Sequence, residues 1–326
     1  MRTFFSVIAL AALATPSLAA GDKPITPNDV VDAAPASDWQ RIAPGDLLVM
    51  DLTPGAKGKP RRVVIQLMPA PFSQGWVGNI RKLVAAHWFD GIAVVRVQDN
   101  YVVQWGDPDG ETPGNAKALP AGLAKPTEKG YVTPLDERLR SSFMQRSAQE
   151  AGQTATIPTN PDSYLRNGLT LFDHGWPIAA DGRTGWPVHC YGMVGVGRNL
   201  SPDTGTGAEL YTVIGQAPRQ LDRNIALVGR IIAGMEHLSS LPRGTGALGF
   251  YETPEERTPI VSVRMGSDVA DLPAYEYLST ESASFAAYID KRANRKDSFY
   301  IQPAGGVDIC NAPVPIRPVK QDAAKP

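Results

Sequence analysis

Alternating and continuous apolar runs divide the first third of the chain into short elements. Residues 46–52 and 62–67 are strand-like and flank a Pro- and Gly-rich turn, which predicts a β-hairpin. Apolar residues then recur with a helical period from Trp76 to His87, and Ser73 is the expected N-cap. This spacing predicts an amphipathic helix whose apolar face includes His87.

The strand pattern continues along the chain. Residues 91–97 and 101–107 are rich in β-branched side chains, and the polar triplet between them predicts a bend or bulge. Further strands are expected over 191–197, 209–214, 225–232, 258–264 and 306–311. These runs predict a mainly β protein, and an antiparallel sheet that closes into a barrel would leave no exposed edges.

Residues 108–190 form a long irregular segment that is rich in Pro and Gly. One helix is predicted within it, with Thr133 as N-cap, Pro134 as the first helical residue and Gly152 at the end. The rest of this segment is expected to be loop.

The two ends of the chain lack strand periodicity. Residues 21–45 are interpreted as an irregular N-terminal arm. A helix is predicted over 282–294, and the polar tail 319–326 is expected to be disordered.

Composition and charge narrow the class of protein. The 326 residues include 31 Gly and 29 Pro, which end helices rather than extend them, so a coiled coil or a long helical bundle is not expected. The 32 basic and 33 acidic residues nearly cancel, so no nucleic-acid-binding surface is predicted. The length fits about two domains, or one domain with large insertions.

The first twenty residues have the form of a secretory signal peptide. An apolar run from Phe4 to Ala14 is followed by Ser17 and Ala19, which fit the small-residue positions before a cleavage site, with Ala20 as an alternative. This run is well short of the roughly 20 residues that span a membrane. The expected mature protein is periplasmic or secreted, without stable membrane insertion.

Cys190 and Cys310 are the two cysteines of the chain. In an oxidising compartment such a pair favours a disulfide, worth about 4–5 kcal/mol in a chain-entropy treatment. The alternative is two separately buried thiols. Because both cysteines adjoin predicted strands, the disulfide is slightly favoured.

The sequence lacks the motifs of most enzyme classes. It contains no G-x-S-x-G, P-loop, H-E-x-x-H or C-x-x-C pattern, and neither a metal nor a cofactor is predicted. The glycines at 192, 195 and 197 depart from dinucleotide-binding spacing and are better explained by close strand packing. Arg96 is unusual as a single charge in an apolar strand, for which a solvent-facing position is the simplest explanation.

Two blocks of sequence resemble the cyclophilin-type peptidyl-prolyl isomerases. Residues 89–107 read FDGIAVVRVQDNYVVQWGD, against the family pattern F-H-R-V-x-x-G-F-M-x-Q-G-G-D. The second block follows the order of three further family motifs, with GMVGVG at 192–197, GAELYT at 207–212 and LD…VGRIIAGM over 221–235. The resemblance covers 46–107 and 191–243.

The resemblance implies a closed eight-stranded antiparallel β-barrel capped by two helices, which agrees with the strand pattern. The cyclophilin-like domain would extend over 46–318. Within it, 108–190 would be an insertion and 244–318 a C-terminal extension, both longer than in a simple cyclophilin.

The resemblance also implies catalysis of rotation about X–Pro bonds in unfolded or exported polypeptides. This rotation breaks amide resonance, at a barrier of about 18–20 kcal/mol, and makes no bond. A protein that binds the twisted amide more tightly than the planar forms therefore needs no nucleophile, metal or cofactor. The implied catalytic residues are Arg96, whose permanent charge would stabilise the lone pair of the prolyl nitrogen, and Gln104, which would bond the substrate backbone.

Contacts with the peptide are implied at matching positions: Tyr101, Val102, Gly197, Arg198, Asn199, Glu209, Tyr211, Leu221 and Ile225. Glu209 replaces Gln, Gln220 stands where Trp is frequent, and Ile225 replaces His. Glu209 is expected either to pair with Arg96 and compete with substrate, or to help position it. Tyr211 replaces Phe, and its hydroxyl needs a partner if it is buried.

These departures leave an alternative function, a non-catalytic proline-peptide binder or chaperone that uses the same groove. A barrel that serves only as an assembly scaffold is less favoured, because it gives no reason for Arg96 and Gln104 to coincide. The oligomeric state is not predicted.

Overall fold

Short strands joined by tight turns make up most of the fold. The structure is a computed structural model that describes residues 25–152, 162–165, 168–297 and 299–319. The described helices are α1 (Pro27–Ala33), α2 (Gln74–Ala85), α3 (Glu137–Gly152), α4 (Glu236–Ser239) and α5 (Ala283–Ala293). None of these helices is long and apolar enough to cross a membrane.

The strands of the described chain fall into three sheets. They are β1 (Trp39–Arg41), β2 (Leu47–Leu52), β3 (Arg61–Leu67), β4 (Ala93–Val97), β5 (Val102–Gly106), β6 (Thr133–Pro134), β7 (Leu169–Asp173), β8 (Trp176–Ala180), β9 (Thr184–Pro187), β10 (Met193–Val196), β11 (Leu210–Val213), β12 (Leu227–Ala233), β13 (Thr258–Met265), β14 (Tyr275–Leu278) and β15 (Ile316–Pro318).

Eight strands close into an antiparallel barrel in the order β10-β11-β5-β4-β13-β2-β3-β12. Alternate side chains of β2, such as Leu48 and Met50, point into the barrel core, whereas Leu47 packs in a separate cluster with Ile42 and Tyr275. The helices α2 and α4 add buried residues to the barrel core. The eight-stranded barrel predicted from the sequence is confirmed.

Strand β13 completes the barrel. It pairs with β4 on one side and with β2 on the other. The structure thus places part of the predicted 244–318 extension in the wall of the barrel, because β13 is the strand that lies between β4 and β2.

The segment 108–190 contains a second sheet, so the expectation of loop outside one helix is wrong. Four antiparallel strands follow the order β6-β9-β8-β7. The turn between β7 and β8 consists of His174 and Gly175, both with positive φ, as tight two-residue hairpins require. Trp176 and Trp186 are buried against the barrel core. The strands are short and three of them contain proline, which hides them from a periodicity analysis.

The helix α3 begins later than predicted. Thr133 and Pro134 pair with β9 as a strand and do not cap the helix. Asp136 takes this role, since its Oδ1 accepts a hydrogen bond from the Leu139 backbone N–H at 2.7 Å. The helix α3 includes Gly152, and the residues directly after it lie outside the described part of the chain, so the predicted end there stays a prediction.

The two ends of α2 compare differently with the prediction. Ser73 is the N-cap residue, as predicted, but it has a left-handed backbone (φ 55°) and its side chain makes no capping hydrogen bond. The prediction that His87 belongs to the apolar face of the helix is wrong. His87 lies beyond the helix, is mainly exposed, and has a left-handed backbone (φ 52°). The His87 N–H donates to the Val84 carbonyl and the Trp88 N–H to the Leu83 carbonyl, so His87 occupies the left-handed position of a Schellman motif.

The N-terminal and C-terminal segments fold together. Strands β1, β14 and β15 form a three-stranded sheet, and α5 and α1 pack against it around Trp39, Leu278 and Phe285. Residues 25–45 are therefore part of the folded structure and not an irregular arm. The predicted strand at 306–311 is also wrong, because Ile309–Asn311 form a 3-10 turn capped by Asp308.

The helix predicted over 282–294 is confirmed as α5. The predicted signal peptide 1–20 and residues 320–326 of the tail lie outside the described residues.

A disulfide joins Cys190 to Cys310 across 120 positions of sequence. Cys190 lies between β9 and β10, and Cys310 lies in the 3-10 turn before β15. The bond therefore ties the start of a barrel strand to the C-terminal segment.

We expect the double variant Cys190→Ala/Cys310→Ala to lose about 2–5 kcal/mol of unfolding free energy, because its unfolded chain is no longer constrained. Denaturant titration measures this loss. Reducing agent should lower the midpoint of the wild type and leave that of the double variant unchanged. Equal midpoints for the oxidised wild type and the double variant would contradict the prediction.

Candidate active site

Arg96 and Gln104 face each other across the hairpin of β4 and β5. A register shift between Val94 and Arg96 brings Arg96 directly opposite Gln104. The Arg96 Nη1 donates to Gln104 Oε1 at 2.9 Å. The eight-residue spacing in the sequence is therefore the spacing that a short hairpin needs to bring the two side chains together.

Three hydrogen bonds hold the Arg96 guanidinium. Besides the bond to Gln104, Nε donates to the Leu248 carbonyl at 2.8 Å and Nη2 donates to Gln98 Oε1. A guanidinium has five N–H donors, so two remain for a ligand. The group also lies against the rings of Tyr101 and Phe250, with centroids at 5.7 and 5.1 Å.

Arg96 is partly buried, so the simple solvent-facing explanation is wrong. Burial lowers the pKa of the guanidinium, and the nearby Tyr101 and Glu209 act in the opposite direction. Arginine nevertheless keeps its charge in proteins. The site therefore holds a permanent, partly desolvated cation in a fixed position.

Glu209 reaches Arg96 through Gln104. The Gln104 Nε2 donates to Glu209 Oε1, so the amide bridges the cation and the carboxylate. No direct ion pair joins Arg96 and Glu209, although the structure describes both residues. Of the two expected roles for Glu209, this geometry matches positioning, because the carboxylate fixes the orientation of the Gln104 amide.

Two glycines make room for the Glu209 side chain. A Cβ atom on Gly197 would lie 2.7 Å from Glu209 Cγ, and one on Gly106 would lie 3.1 Å from the same atom. Burial raises the pKa of Glu209 above its ordinary value, while the bond from Gln104 and the charge of Arg96 lower it less strongly.

A cavity of about 100 Å³ opens beside Arg96. Its walls are Arg96, Tyr101, Val102, Gln104, Val196, Gly197, Arg198, Tyr211, Leu221 and Ile225. The structure thus brings together nine of the eleven predicted site residues. Asn199 and Glu209 line an adjacent cavity of about 460 Å³ instead, together with Phe250.

The stretch 197–199 is less open to a peptide than expected. The Gly197 N–H donates to the Glu209 carbonyl at 2.8 Å, and the Asn199 N–H donates to Asp203 Oδ2 at 2.8 Å. Arg198 donates to the Asn224 carbonyl from two nitrogens. The N–H groups of Gly197 and Asn199 are therefore already used within the protein.

The buried Tyr211 hydroxyl has a partner that the sequence analysis missed. His189 lies in the insertion, is fully buried, and places Nε2 2.8 Å from the Tyr211 hydroxyl oxygen. Burial raises the pKa of Tyr211 well above its ordinary value, so the phenol stays protonated. The replacement of Phe by Tyr in a buried position was the one signal in the sequence that a polar partner had to be near.

Other contacts were also missed, and for physical reasons. Gln98, Leu248 and Phe250 touch Arg96, but Leu248 and Phe250 come from a segment far along the chain. Val196 lines the small cavity beside the predicted Gly197. Strand alternation alone does not identify which residue of a buried strand reaches a cavity.

Comparison with known proteins identifies the family of the chain. The model of the family "cyclophilin type peptidyl-prolyl cis-trans isomerase" matches residues 59–265, which is more than half of the chain. The chain belongs to this family, whose members are peptidyl-prolyl cis–trans isomerases. No curated protein matches the sequence.

Two solved structures that match the chain show the range of similarity. A cyclophilin from Hirschia baltica has a TM-score of 0.60 and 22% sequence identity, over 91% of this chain and 99% of that chain. This likeness shows the cyclophilin fold. A cyclophilin-type isomerase from Cryptosporidium parvum, whose structure was determined in the presence of the dipeptide Ala-Pro, has a TM-score of 0.35 and 13% identity, over 67% of this chain and 98% of that chain.

The raised pKa of Glu209 predicts a pH-dependent effect of Glu209→Gln. A carboxyl group whose folded-state pKa exceeds its ordinary value of 4.5 loses stabilisation as the pH rises through the folded-state pKa. Gln does not ionise, so the variant keeps its stability as the pH rises. At pH 7 it should be more stable than the wild type, by about 1.4 kcal/mol for each pH unit by which the folded-state pKa of Glu209 exceeds 4.5.

Denaturant unfolding of both proteins at pH 4 and pH 7 measures this effect. Glu255→Gln, which removes a carboxylate from an exposed position, is the matched control. A stability difference between Glu209→Gln and wild type that is the same at both pH values would contradict the prediction.

Proposed function

We propose that this protein accelerates the rotation of X–Pro bonds in unfolded or exported polypeptides, and that Arg96 stabilises the twisted amide. The observation that carries the proposal is the Arg96 guanidinium, which three hydrogen bonds hold at a small cavity with two N–H donors left over. Family membership supports the reaction class, and the residue roles and the substrates are proposed here.

The cavity supplies the binding half of the mechanism. Its apolar walls include Val102, Leu221 and Ile225, and its volume of about 100 Å³ suits a side chain as small as a proline ring. Burial of the ring holds one side of the X–Pro bond while the other side rotates. The planar and twisted forms of the peptide share this contact, so the contact gives affinity and not catalysis.

Arg96 supplies the interaction that is specific to the transition state. When the amide twists, resonance is lost and the lone pair localises on the prolyl nitrogen, which becomes a hydrogen-bond acceptor. A donor that is already oriented stabilises this state without reorganising during the reaction. Gln104 keeps one amide N–H free, which is the group we assign to the substrate backbone.

A second candidate function is binding of proline peptides without turnover. Gln220 stands where Trp is frequent in the family. It is exposed and does not line the small cavity, so it forms no part of the cavity wall. Ile225 lines the cavity in place of the family His. Both changes alter peptide contacts and leave Arg96 and Gln104 in place.

We expect the wild type to accelerate isomerisation of a proline tetrapeptide in a protease-coupled assay. Arg96→Ala should lower kcat/KM by about 10²–10³-fold, the usual effect of removing an oriented donor. Arg96→Lys should not restore activity, because one ammonium cannot replace the planar fork that holds three partners. Arg41→Ala, at a mainly exposed arginine outside the barrel, is the control.

Titration of the same peptide separates the two candidate functions. A wild type that binds the peptide but gives no rate above background, with binding retained in Arg96→Ala, would favour the binder. A wild type that neither binds nor accelerates would exclude both functions.

We also propose that the protein acts after export. Two observations support this: the signal-like segment 1–20 and the disulfide between Cys190 and Cys310, a bond typical of oxidising compartments. N-terminal sequencing of the protein from its native host should find a start near Ala20 or Gly21. A start at Met1 would contradict the proposal.

A further inference from the structure

A chain of buried polar side chains runs from the small cavity into the insertion 108–190. Its members are Tyr211, His189, Asp222, Arg219 and Asp162, and each is at most 7% exposed. Asp222 and Arg219 belong to the turn beside the cavity, whereas His189 and Asp162 belong to the insertion. The contacts of Arg96 described above involve none of the four residues that follow Tyr211 in this network.

The two ring nitrogens of His189 have different partners. Asp222 Oδ1 lies 2.8 Å from His189 Nδ1 and also accepts the backbone N–H of His189 at 2.9 Å. A carboxylate only accepts, so Nδ1 carries a proton and donates to Asp222. Nε2 forms the second hydrogen bond, with the Tyr211 hydroxyl at 2.8 Å.

The far end of the chain is closed by ion pairs. Arg219 Nε donates to Asp222 Oδ2 at 2.6 Å, and its Nη2 donates to Asp162 Oδ2 at 2.7 Å. The ring of Tyr164 lies against the Arg219 guanidinium, with 5.3 Å to its centroid. Every charged side chain of this network thus has a partner within it, which is the condition for a buried ionic network to be tolerated.

This network holds two walls of the small cavity. Tyr211 forms one wall, and Gly195 leaves the space for its ring, since a Cβ there would lie 2.3 Å from the hydroxyl oxygen. Leu221 forms a second wall and lies in the 3-10 turn between Arg219 and Asp222. Both walls are therefore bonded to the insertion. The Tyr211 hydroxyl bonds to His189, and the two charged residues that flank Leu221, Arg219 and Asp222, bond to Asp162 and His189.

The disulfide fixes the backbone next to His189. His189 is followed directly by Cys190, which is bonded to Cys310. The imidazole that is bonded to the Tyr211 hydroxyl is thus attached to a backbone that is covalently fixed to the C-terminal segment.

We propose that His189 is a positioning residue that sets the width of the proline pocket, and that the insertion serves to build this wall. The inference rests on the proposed function. A Phe at 211 would fill the same volume without a directional contact, whereas the hydrogen bond holds the ring at one tilt. The pocket then accepts a five-membered ring without reorganising and penalises a wider one.

The tests use the oxidised full protein and two peptides that differ only in proline or its six-membered homologue, pipecolic acid. One extra methylene changes binding in a shaped apolar pocket by about 10–200-fold. We expect the wild type to prefer the proline peptide by at least about 10-fold, and Tyr211→Phe to reduce this preference to a few-fold.

Kinetics and binding should change in a defined way. Tyr211→Phe should raise both KM and the peptide Kd by roughly 5–10-fold and leave kcat within about 2-fold, because the pocket wall contacts the planar and twisted forms equally. A loss of kcat at constant KM would instead place Tyr211 in the transition-state interaction and overturn a positioning role.

Two substitutions of His189 separate its two contacts. The amide nitrogen of Asn can occupy the position of Nδ1, so His189→Asn keeps the Asp222 contact, loses Tyr211, and should reproduce Tyr211→Phe. The longer Gln reaches the position of Nε2, so His189→Gln should keep more of the wild-type preference for proline. Equal ring selectivity in the two variants would overturn the assignment.

Tyr288→Phe is the matched control for the loss of a buried hydroxyl. Tyr288 is 3% exposed, and its hydroxyl donates to the Pro313 carbonyl at 2.9 Å in the cluster around α5, away from the cavity. This variant should lose similar stability without any change in Kd, KM or ring selectivity.

The outcomes distinguish the inference from the function on which it rests. If the wild type binds and turns over the proline peptide, but Tyr211→Phe and His189→Asn behave like Tyr288→Phe, only the inference is wrong. If the wild type binds neither peptide, the proposed function fails and the inference fails with it.

Discussion

The hydrogen bond between Arg96 and Gln104 is the interaction on which the site depends, and barrel closure makes it possible. The two residues lie opposite each other because β4 shifts register against β5, and β4 keeps this position because β13 pairs along its other edge. Once the pair is formed, the Gln104 amide can donate to Glu209 and the Arg96 Nε can donate to the Leu248 carbonyl. A guanidinium held on three sides stabilises a developing charge without first having to be ordered.

The part of the site that comes from local sequence could be predicted, and the part that comes from distant segments could not. Arg96, Tyr101 and Gln104 belong to one hairpin, whose strand pattern and spacing are visible in the sequence. Phe250 and His189 reach the site through the tertiary fold, and no periodicity connects them to it. The sheet β6–β9 was missed for the same reason, since its strands are short and are stabilised mainly by burial against the barrel.

The insertion also shows how a polar network can replace apolar packing at a binding site. A buried hydroxyl, imidazole and carboxylate cost free energy unless each of them is satisfied. Here each member of the network from Tyr211 to Asp162 bonds to the next one, and the insertion supplies two of these partners, His189 and Asp162. Packing of Trp176 and Trp186 against the barrel provides the apolar burial that holds these partners in place.

The position of β13 has a consequence for the order of folding. Strand β2 comes near the start of the described chain and pairs with β13, which follows most of the sequence. Contacts between such distant segments form late, since the intervening chain must first be ordered. The Leu248 carbonyl that holds Arg96 is supplied by the same late region. During vectorial synthesis the Arg96–Gln104 hairpin therefore emerges long before its supports, and the site is completed only when most of the polypeptide is available.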